Sequence, residues 1–426
     1  MKLKKIHLAI ALLSVPAMSV DLSDVYSDAE QYDTSLLKAT SQHNIALEDI
    51  DESRAALLPQ LTANAFGGAT NSDIVTDDYN TYGANIQLNQ LIFNHAAWVG
   101  LDMSTKKAAL SEVKLGQAKQ ALALNVASAY FNVLRWEDEL ELVRKEKMAV
   151  AKQRDQVEQR HKVGLASITA VHEAQAQLDA TQAQEIIVGN SVLSSYEALR
   201  KITGVEYQKI DSISNELDIV NSTDKSLPTW VTVGENNSPA LVIAKMEKDI
   251  AKDVIKIEES GFMPTVGMSA SYQTADINHS ISDMRVDEGS VFLNVSLPLY
   301  QGGATTSRVK QAQYSHAIAS ESLEFAHRGM IENIRNSYHG IESSRGAIKA
   351  YSQSVKSAES ALAATEAGFN AGTRTIVDVL NSTKELYNAN GNLLDSKYNY
   401  ILSDLKLRYS AGVLSTEDIL RVNSLF

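Results

Sequence analysis

Two halves of this chain repeat one pattern of prolines, glycines and apolar residues at a spacing of about 200 residues. Leu58-Pro59-Gln60-Leu61 in the first half corresponds to Met263-Pro264-Thr265-Val266 in the second, and Val163-Gly164 corresponds to Ala371-Gly372. Solenoid repeats span only about 20–50 residues, so a unit this long is not a solenoid repeat. The duplication therefore predicts a single fold built from two copies of a large motif.

A strand pair near the start of each copy is predicted from alternating apolar and polar residues, such as Ile86 and Leu88 on either side of Gln87. The alternation alone fits a membrane barrel wall and a soluble sheet equally well. Long acidic segments separate the paired strands, at residues 67–83 and 274–289. These segments favour the barrel, because external barrel loops are typically the longer ones.

A long helix, a turn and a return helix are predicted after each strand pair. Residues 96–163 contain no proline, and apolar residues recur at every seventh position, which indicates coiled-coil packing. A straight helix of this length would reach roughly 100 Å. Pro59, Pro264 and Pro298 are expected at the junctions between helices and strands. The two seams comprise Ala108, Leu115, Leu122, Ala129, Trp136, Val143, Val150 and Val157, and then Ile334, Ile341, Ile348, Val355, Leu362 and Phe369.

The first residues have the three-part order of a secretory signal peptide. Lys2, Lys4 and Lys5 precede an apolar run at residues 6–15, and a small-residue pattern follows at residues 17–19. The apolar run is too short to span a bilayer, and no later stretch reaches the ~18 apolar residues of a transmembrane helix. Export with cleavage after the small-residue pattern is expected.

Composition and motifs exclude several kinds of chemistry. The chain has no cysteine, which rules out disulfides and zinc–sulfur sites. Its 52 acidic and 39 basic residues give a net charge of −13, which argues against a nucleic-acid partner. It carries no G-x-S-x-G, phosphate-loop or H-E-x-x-H motif, so neither an enzyme activity nor a cofactor is expected.

The number of predicted strands bears on assembly. Four strands per chain are too few to close a membrane barrel, whose smallest form has about eight. An open edge in lipid would leave backbone groups without partners, so the chain must share a barrel with copies of itself. Two copies would give about eight strands, an interior that side chains normally fill, whereas three would give about twelve. A conduit therefore favours a homotrimer.

Five segments match the motifs of a known family. They are residues 57–61 (LLPQL), 129–134 (AYFNVL), 296–303 (SLPLYQGG), 309–314 (VKQAQY) and 372–380 (GTRTIVDVL). Through them the chain resembles, over nearly its whole length, the outer membrane factor family of TolC-like channels. The resemblance implies an α+β membrane protein: a trimeric twelve-strand transmembrane β-barrel, with four strands per chain, continuous with a twelve-helix periplasmic α-barrel of coiled-coil helices.

The resemblance also implies a function and partners. The chain would be the passive outer-membrane exit duct of tripartite multidrug efflux pumps and of type I protein secretion, opened at its periplasmic end by partner docking. It would lie in the outer membrane of a Gram-negative bacterium, with most of its mass in the periplasm. The implied partners are two further copies, a periplasmic adaptor protein, an inner-membrane transporter of the RND, ABC or MFS type, and outer-membrane lipid.

The chain is expected to divide into segments in the order of the duplicated motif, with two irregular equatorial segments. The segments are a signal peptide (1–19), a periplasmic helix (20–58), strand pair 1 with its external loop (59–94), long helical hairpin 1 (95–203), an equatorial segment (204–238), a periplasmic helix (239–262), strand pair 2 with its external loop (263–301), long helical hairpin 2 (302–410) and a C-terminal equatorial segment (411–426).

The resemblance assigns several residues to a constriction at the periplasmic end. Asp378 matches the first aspartate of a three-fold ring and is a possible cation-binding position, whereas Asn381 replaces the second aspartate. A ring of carboxylates would favour cations; the residues by themselves fit a solvated acid near a helix start equally well. The turns expected to contact the adaptor contain Gly164, Leu165, Gly372 and Thr373.

A link between helices is the other part of the implied closing mechanism. Arg374 matches the linking arginine and Thr169 matches its partner. Ala170 stands where the family has an aspartate, and Phe369 stands where it has the linking tyrosine. Because two acceptors of the arginine are replaced, we expect looser resting closure.

Two other classes of protein compete with the exit duct. A periplasmic adaptor also combines helical hairpins with β-structure, but it usually has one hairpin and a soluble sheet. A diffusion porin builds its barrel from many strands of one chain and contains little helix. The duplicated unit of strand pair and long helix favours the exit duct.

Overall fold

The computed structural model describes residues 20–70, 79–211, 225–279 and 283–423. The predicted signal peptide and the middle of each predicted external loop lie outside the described residues. The described remainder of both predicted loops, at residues 67–70, 79–83, 274–279 and 283–289, is strand, so the prediction of loops this long is wrong. The first copy contains α1 (Leu22–Tyr32), α2 (Thr34–Ala55), β1 (Gln60–Thr70), β2 (Tyr79–Phe93), α3 (His95–Lys162) and α4 (Ile168–Thr203). The second contains α5 (Leu227–Asn237), α6 (Pro239–Glu259), a short 3₁₀ turn (Ser260–Phe262), β3 (Thr265–His279), β4 (Asp283–Ser296), α7 (Ala304–Asn370), α8 (Ile376–Ser410) and α9 (Thr416–Asn423). Within the described ranges, none of the helices has both the length and the apolar character that crossing a membrane requires.

The chain forms two compact units, each assembled from discontinuous segments. The sheet unit comprises residues 38–118 and 237–330 and holds the four described strands. The helical unit comprises the described residues of 1–37, 119–236 and 331–426.

The sheet unit is an antiparallel sheet in the order β1-β2-β3-β4. Its register aligns the alternating residues of all four strands: Ala63 lies opposite Ile86, which lies opposite Tyr272 in β3. Because side chains alternate between the two faces of a strand, this register collects most of the apolar residues on one face and most of the Asn, Gln and Ser residues on the other. Phe66 and Phe292 are exceptions that lie on the polar face. Leu293 and Val295 of β4 are each 65% exposed on the apolar face. Apolar side chains on this face of the described strands are therefore largely exposed.

The core of the helical unit follows the predicted heptad seams. Val143, Val150 and Val157 of α3 are at most 4% exposed, and Ile334 and Ile341 of α7 are fully buried. A spacing of seven residues keeps each side chain on one stripe of its helix, so the seam packs against neighbouring helices along its length.

The predicted helix at residues 20–58 is two helices. The α1 helix ends before Asp33, whose backbone leaves the helical conformation, and the Asp33 carboxylate accepts a hydrogen bond from the Leu36 backbone N–H at 2.7 Å. Aspartate favours such capping over a helix-interior position, because its short side chain competes for backbone donors. The break is local, and α2 continues to Ala55.

The two expected equatorial segments are not irregular throughout, because each contains a helix. The helices α5 and α9 lie within them. In α9, Ser415 and Asp418 form a reciprocal cap at the N-terminus: the Asp418 carboxylate accepts from the Ser415 N–H at 3.1 Å, and the Ser415 hydroxyl accepts from the Asp418 N–H at 3.4 Å. In α5, Pro228 occupies the first turn, where a missing N–H costs nothing, and Trp230 is buried. The sequence carries a recognisable helix-start signal at both positions.

Candidate aperture site at the hairpin tips

Two hairpins, hairpin 1 (α3–α4) and hairpin 2 (α7–α8), end in turns of the same design. Gly164 and Gly372 have φ values of +75° and +79°, a left-handed conformation that favours glycine after a helix. The Gly164 N–H donates to the His161 carbonyl at 2.9 Å, and the Leu165 N–H donates to the Arg160 carbonyl at 2.8 Å. The turn of hairpin 2 repeats this pair of bonds, so the predicted tip residues lie in duplicated helix-ending motifs.

The return helices begin with caps that differ between the two hairpins. In hairpin 2, the Asp378 carboxylate accepts from the Thr375 N–H at 2.8 Å and from its hydroxyl at 2.9 Å, and the Thr375 hydroxyl accepts from the Asp378 N–H at 3.3 Å. This is a complete capping box. In hairpin 1, the Ser167 hydroxyl accepts from the Ala170 N–H at 3.1 Å, but alanine offers no reciprocal acceptor. The replacement at Ala170 thus removes half of a capping box.

The capping box also sets the charge state of Asp378. The hydrogen bond from the Thr375 backbone, then that from its hydroxyl, holds the pKa of Asp378 below its usual range, and Arg374 adds a smaller attraction. The carboxylate is therefore ionised at neutral pH, on a partly exposed position at the start of α8. Asn381, one turn later, is exposed. Within the described part of one chain, no group of three His, Asp or Glu side chains is placed to hold a metal ion.

The two tips pack on one apolar cluster in the helical unit. Its buried members come from three of the four helices: Val150 and Val157 from α3, Ala174 from α4, and Ile376, Val379 and Leu380 from α8. Ala170 and Phe369 pack against the cluster from its edge. The start of α8, which carries Asp378, is therefore held against hairpin 1 by hydrophobic contact.

Arg374 and Thr169 are both exposed. A Cβ atom placed on Gly368 would lie 2.7 Å from Cγ of Arg374, so the stem of Arg374 covers the glycine of its own hairpin. Within one chain no side-chain hydrogen bond joins Arg374 to Thr169, and the link between them stays a prediction. Pro59 and Pro264 directly precede β1 and β3, and Pro298 follows β4, at the ends of the strands.

Arg160, which the sequence analysis did not single out, contacts hairpin 2 from the last turn of α3. Its guanidinium carbon lies 4.4 Å from the ring centroid of Phe369, and its nitrogens donate to the Phe369 carbonyl and the Asn370 side chain. A basic residue in the last turn of a helix is common, because the helix dipole favours it there. An arginine at this position is therefore not by itself a sign of a contact between hairpins.

The model of a known protein family, described as outer membrane efflux protein, matches residues 25–205 and again residues 233–413. The two matches coincide with the two copies of the duplicated motif. The chain belongs to the outer membrane efflux protein family. As an outer membrane efflux protein it is a channel component of the Gram-negative outer membrane and not an enzyme.

Two relatives and one solved structure illustrate the similarity. The chain is 40% identical to the outer membrane protein TolC of Vibrio cholerae serotype O1 over 420 residues, which cover 98% of this chain and 96% of that protein. It is 26% identical to the alkaline protease secretion protein AprF of Pseudomonas aeruginosa, over 96% of this chain and 88% of that protein. The crystal structure of CusC matches with a TM-score of 0.82 at 16% identity, covering 92% of each chain.

The comparisons confirm the predicted fold class, since the matched structure is a membrane channel and this chain supplies one four-strand sheet and two long helical hairpins. That composition is consistent with a trimeric barrel that works with inner-membrane pump components. The predicted function as an outer-membrane exit channel and the predicted location are confirmed as well. Nothing in the comparisons favours the adaptor alternative.

Proposed function

We propose that three copies of this outer membrane efflux protein form one duct that rests closed at the hairpin tips and opens when partner proteins dock there. The partners are a periplasmic adaptor and an inner-membrane transporter of the RND, ABC or MFS type. The duct exports small molecules and, with a suitable transporter, whole proteins. The likeness to AprF, whose name is that of a protease secretion protein, supports the second cargo class.

The two faces of the sheet support a shared barrel. The apolar face would meet outer-membrane lipid, and the Asn, Gln and Ser residues of the other face would line water. A four-strand sheet has two open edges, and backbone groups at an edge in lipid need partners. Copies of the chain supply them, and three copies leave a lumen wide enough to conduct.

The observation that carries the gating proposal is the ionised, capped Asp378 on the packed tips. Three-fold symmetry would bring three such carboxylates together. Their combined negative charge in a narrow pore would attract cations and would provide a site for a di- or trivalent cation that blocks the channel. Since the capping box holds each carboxylate at the helix start, the ring would need little ordering to form.

The turns of both hairpins are the proposed contact surface for the adaptor. Val163 and Leu165 at the tip of hairpin 1 are 69% and 76% exposed, and Gly164 lies between them. Gly372 and Thr373 form the more polar counterpart on hairpin 2. Exposed apolar side chains on a rigid turn are suited to insertion between partner helices.

The test is single-channel conductance of the purified protein in planar bilayers, with and without millimolar divalent cation. Asp378→Asn keeps an oxygen for the cap and removes the charge, so cation selectivity and divalent block should both fall. Glu359→Gln, which removes an exposed carboxylate elsewhere on α7, is the matched control and should change neither. Unchanged selectivity in Asp378→Asn would exclude the ring, and no conductance at all from the unaltered protein would exclude the duct.

A further inference from the structure

The side chain of Arg160 joins the two hairpins at their tips. Its Nη1 donates to the Phe369 carbonyl at 3.1 Å, and its Nη2 donates to Asn370 Oδ1 at 2.9 Å, while the guanidinium lies over the Phe369 ring. Gln156, one turn earlier on α3, donates to the same Asn370 oxygen at 3.2 Å. Hairpin 1 thus contacts the last residues of α7 at three groups: the side-chain amide of Asn370, the backbone carbonyl of Phe369 and the face of the Phe369 ring.

These contacts suit an arginine better than any other residue. The planar guanidinium can stack on a ring and donate to two acceptors at the same time, which the compact ammonium of lysine cannot. The carbonyls at the C-terminal end of α7 carry partial negative charge, and this favours a cation beside Phe369. The described contacts of Arg160 are all to uncharged groups. The contact between Arg160 and the end of α7 therefore needs no carboxylate.

Arg374 is placed differently from Arg160. Its stem covers Gly368 on its own hairpin, as the 2.7 Å approach to a hypothetical Cβ shows. Among the described residues at the tips, the guanidinium of Arg160 contacts the other hairpin. Farther from the tips, Arg135 of α3 forms a separate ion pair with Asp395 of α8 at 2.6 Å. Phe369 and Ala170 lack the polar groups that a link through tyrosine and aspartate would need, whereas the ring face of Phe369 is occupied by Arg160.

We propose that Arg160 is the positioning residue of the resting gate: it locks hairpin 1 to the end of α7 through Phe369 and Asn370, and the duct opens when this lock is released. The lock replaces the tyrosine and aspartate contacts that this chain lacks, so the resting state is closed rather than loose. The inference rests on the proposed function, because only a duct that closes at its tips has a resting gate.

The test compares resting open probability in planar bilayers for three single variants. Arg160→Met should raise it roughly five- to tenfold, the range expected from losing a cation–π contact together with its hydrogen bonds. Arg160→Lys keeps the positive charge but loses the planar guanidinium that donates to two acceptors at once. It should raise the resting open probability by an intermediate amount. Lys162→Met removes a charge from the same helix end, where Lys162 pairs only with Glu158 among the described ion pairs, and should leave the open probability unchanged.

A double-variant cycle separates the lock from general destabilisation. Phe369→Leu should raise the open probability by itself, and Arg160→Met with Phe369→Leu should open the duct little more than Arg160→Met alone, since Phe369→Leu removes the ring contact that Arg160→Met already removes. Rescue completes the test. Because the chain has no cysteine, cysteines at positions 156 and 370 in the Arg160→Met background can be joined by a short thiol-reactive cross-linker, which should restore closure until it is cleaved.

Two outcomes would overturn the lock. Arg160→Met could behave like Lys162→Met while Asp378→Asn still alters selectivity, in which case the duct stands and the lock is wrong. The effects of the two single variants could also add fully in the double variant, which would mean that Arg160 and Phe369 act separately. Absence of any channel from the unaltered protein would reject the proposed duct itself.

Discussion

Three consecutive carboxylates lie partly buried in the middle of α3. Burial is the main cause that raises the pKa of Glu137, Asp138 and Glu139 above the usual range. Glu137 and Asp138 each accept a hydrogen bond from a tyrosine hydroxyl, that of Tyr196 at 2.7 Å and that of Tyr398 at 2.6 Å. Glu139 has no tyrosine partner in the described structure, so its charge is the least compensated of the three.

We predict that Glu139→Gln raises the melting temperature at pH 7–8 by about 1–2 °C. A carboxyl whose pKa is raised by folding favours the folded state at a pH below its unfolded pKa of about 4.3, and this contribution is lost as the pH rises through the folded pKa. The gain from glutamine should therefore shrink toward zero near pH 4. Melting curves of the detergent-solubilised protein across this pH range test the prediction. The control is Glu173→Gln, which removes an exposed carboxylate on α4. Equal shifts in the two variants would contradict the prediction.

The start of each return helix shows how one replacement acts on a whole element. Thr375 and Asp378 form the complete capping box of α8, and Ser167 with Ala170 forms the incomplete one of α4. An acid at the third position of a helix both accepts the capping N–H and interacts favourably with the helix dipole. The two copies of the motif therefore differ in the stability of the first turn next to the tip.

We predict that Ala170→Asp stabilises the first turn of α4 by about 0.5–1 kcal/mol. Hydrogen exchange of the amides at residues 168–171 should slow accordingly, by roughly two- to fivefold. Ala166→Asp adds the same charge before the cap, where no reciprocal hydrogen bond can form, and should slow exchange much less. If both variants slow exchange equally, charge alone explains the effect and the missing half of the capping box does not matter.

For the whole molecule, the placement of the sheet depends on which of its faces meets lipid. Neighbouring residues of β4 provide a matched pair: Leu293 lies on the apolar face opposite Met268, and Asn294 lies on the polar face opposite Gly267. Both are exposed in the single chain. Burial within one chain therefore does not distinguish Leu293 from Asn294. Insertion into a bilayer would, because only one of the two faces would contact lipid.

We predict that Leu293→Arg strongly lowers the amount of folded protein recovered from the outer membrane, because an arginine in the hydrocarbon region costs about 2–4 kcal/mol. Asn294→Arg, one residue along the same strand, should be recovered at nearly the normal level, since its side chain would face water. The measurement is the folded fraction in outer-membrane extracts of cells expressing each variant. Equal recovery of the two would argue against the assignment of lipid to the apolar face.

The functional site was only partly predictable from the sequence. The pattern Thr375-Ile-Val-Asp378 is a legible capping box, and the left-handed glycines of both turns follow from their position after long helices. The contact between Arg160 and Phe369 was not predictable, because nothing in either residue's neighbours marks the other as its partner. Its two members are 209 positions apart, and only the packing of α3 against the end of α7 brings them together.

The sequence determined the features that depend on near neighbours. Period-seven and period-two patterns predicted long packed helices and two-faced strands, since each period places side chains on one stripe or one face whatever lies opposite. Tertiary structure determined the register that aligns all four strands, the break at Asp33, and the contacts by which Arg160, rather than Arg374, reaches the other hairpin at the tips. These depend on which distant surfaces come together and on which polar groups then need partners, and that is a property of packing rather than of local pattern.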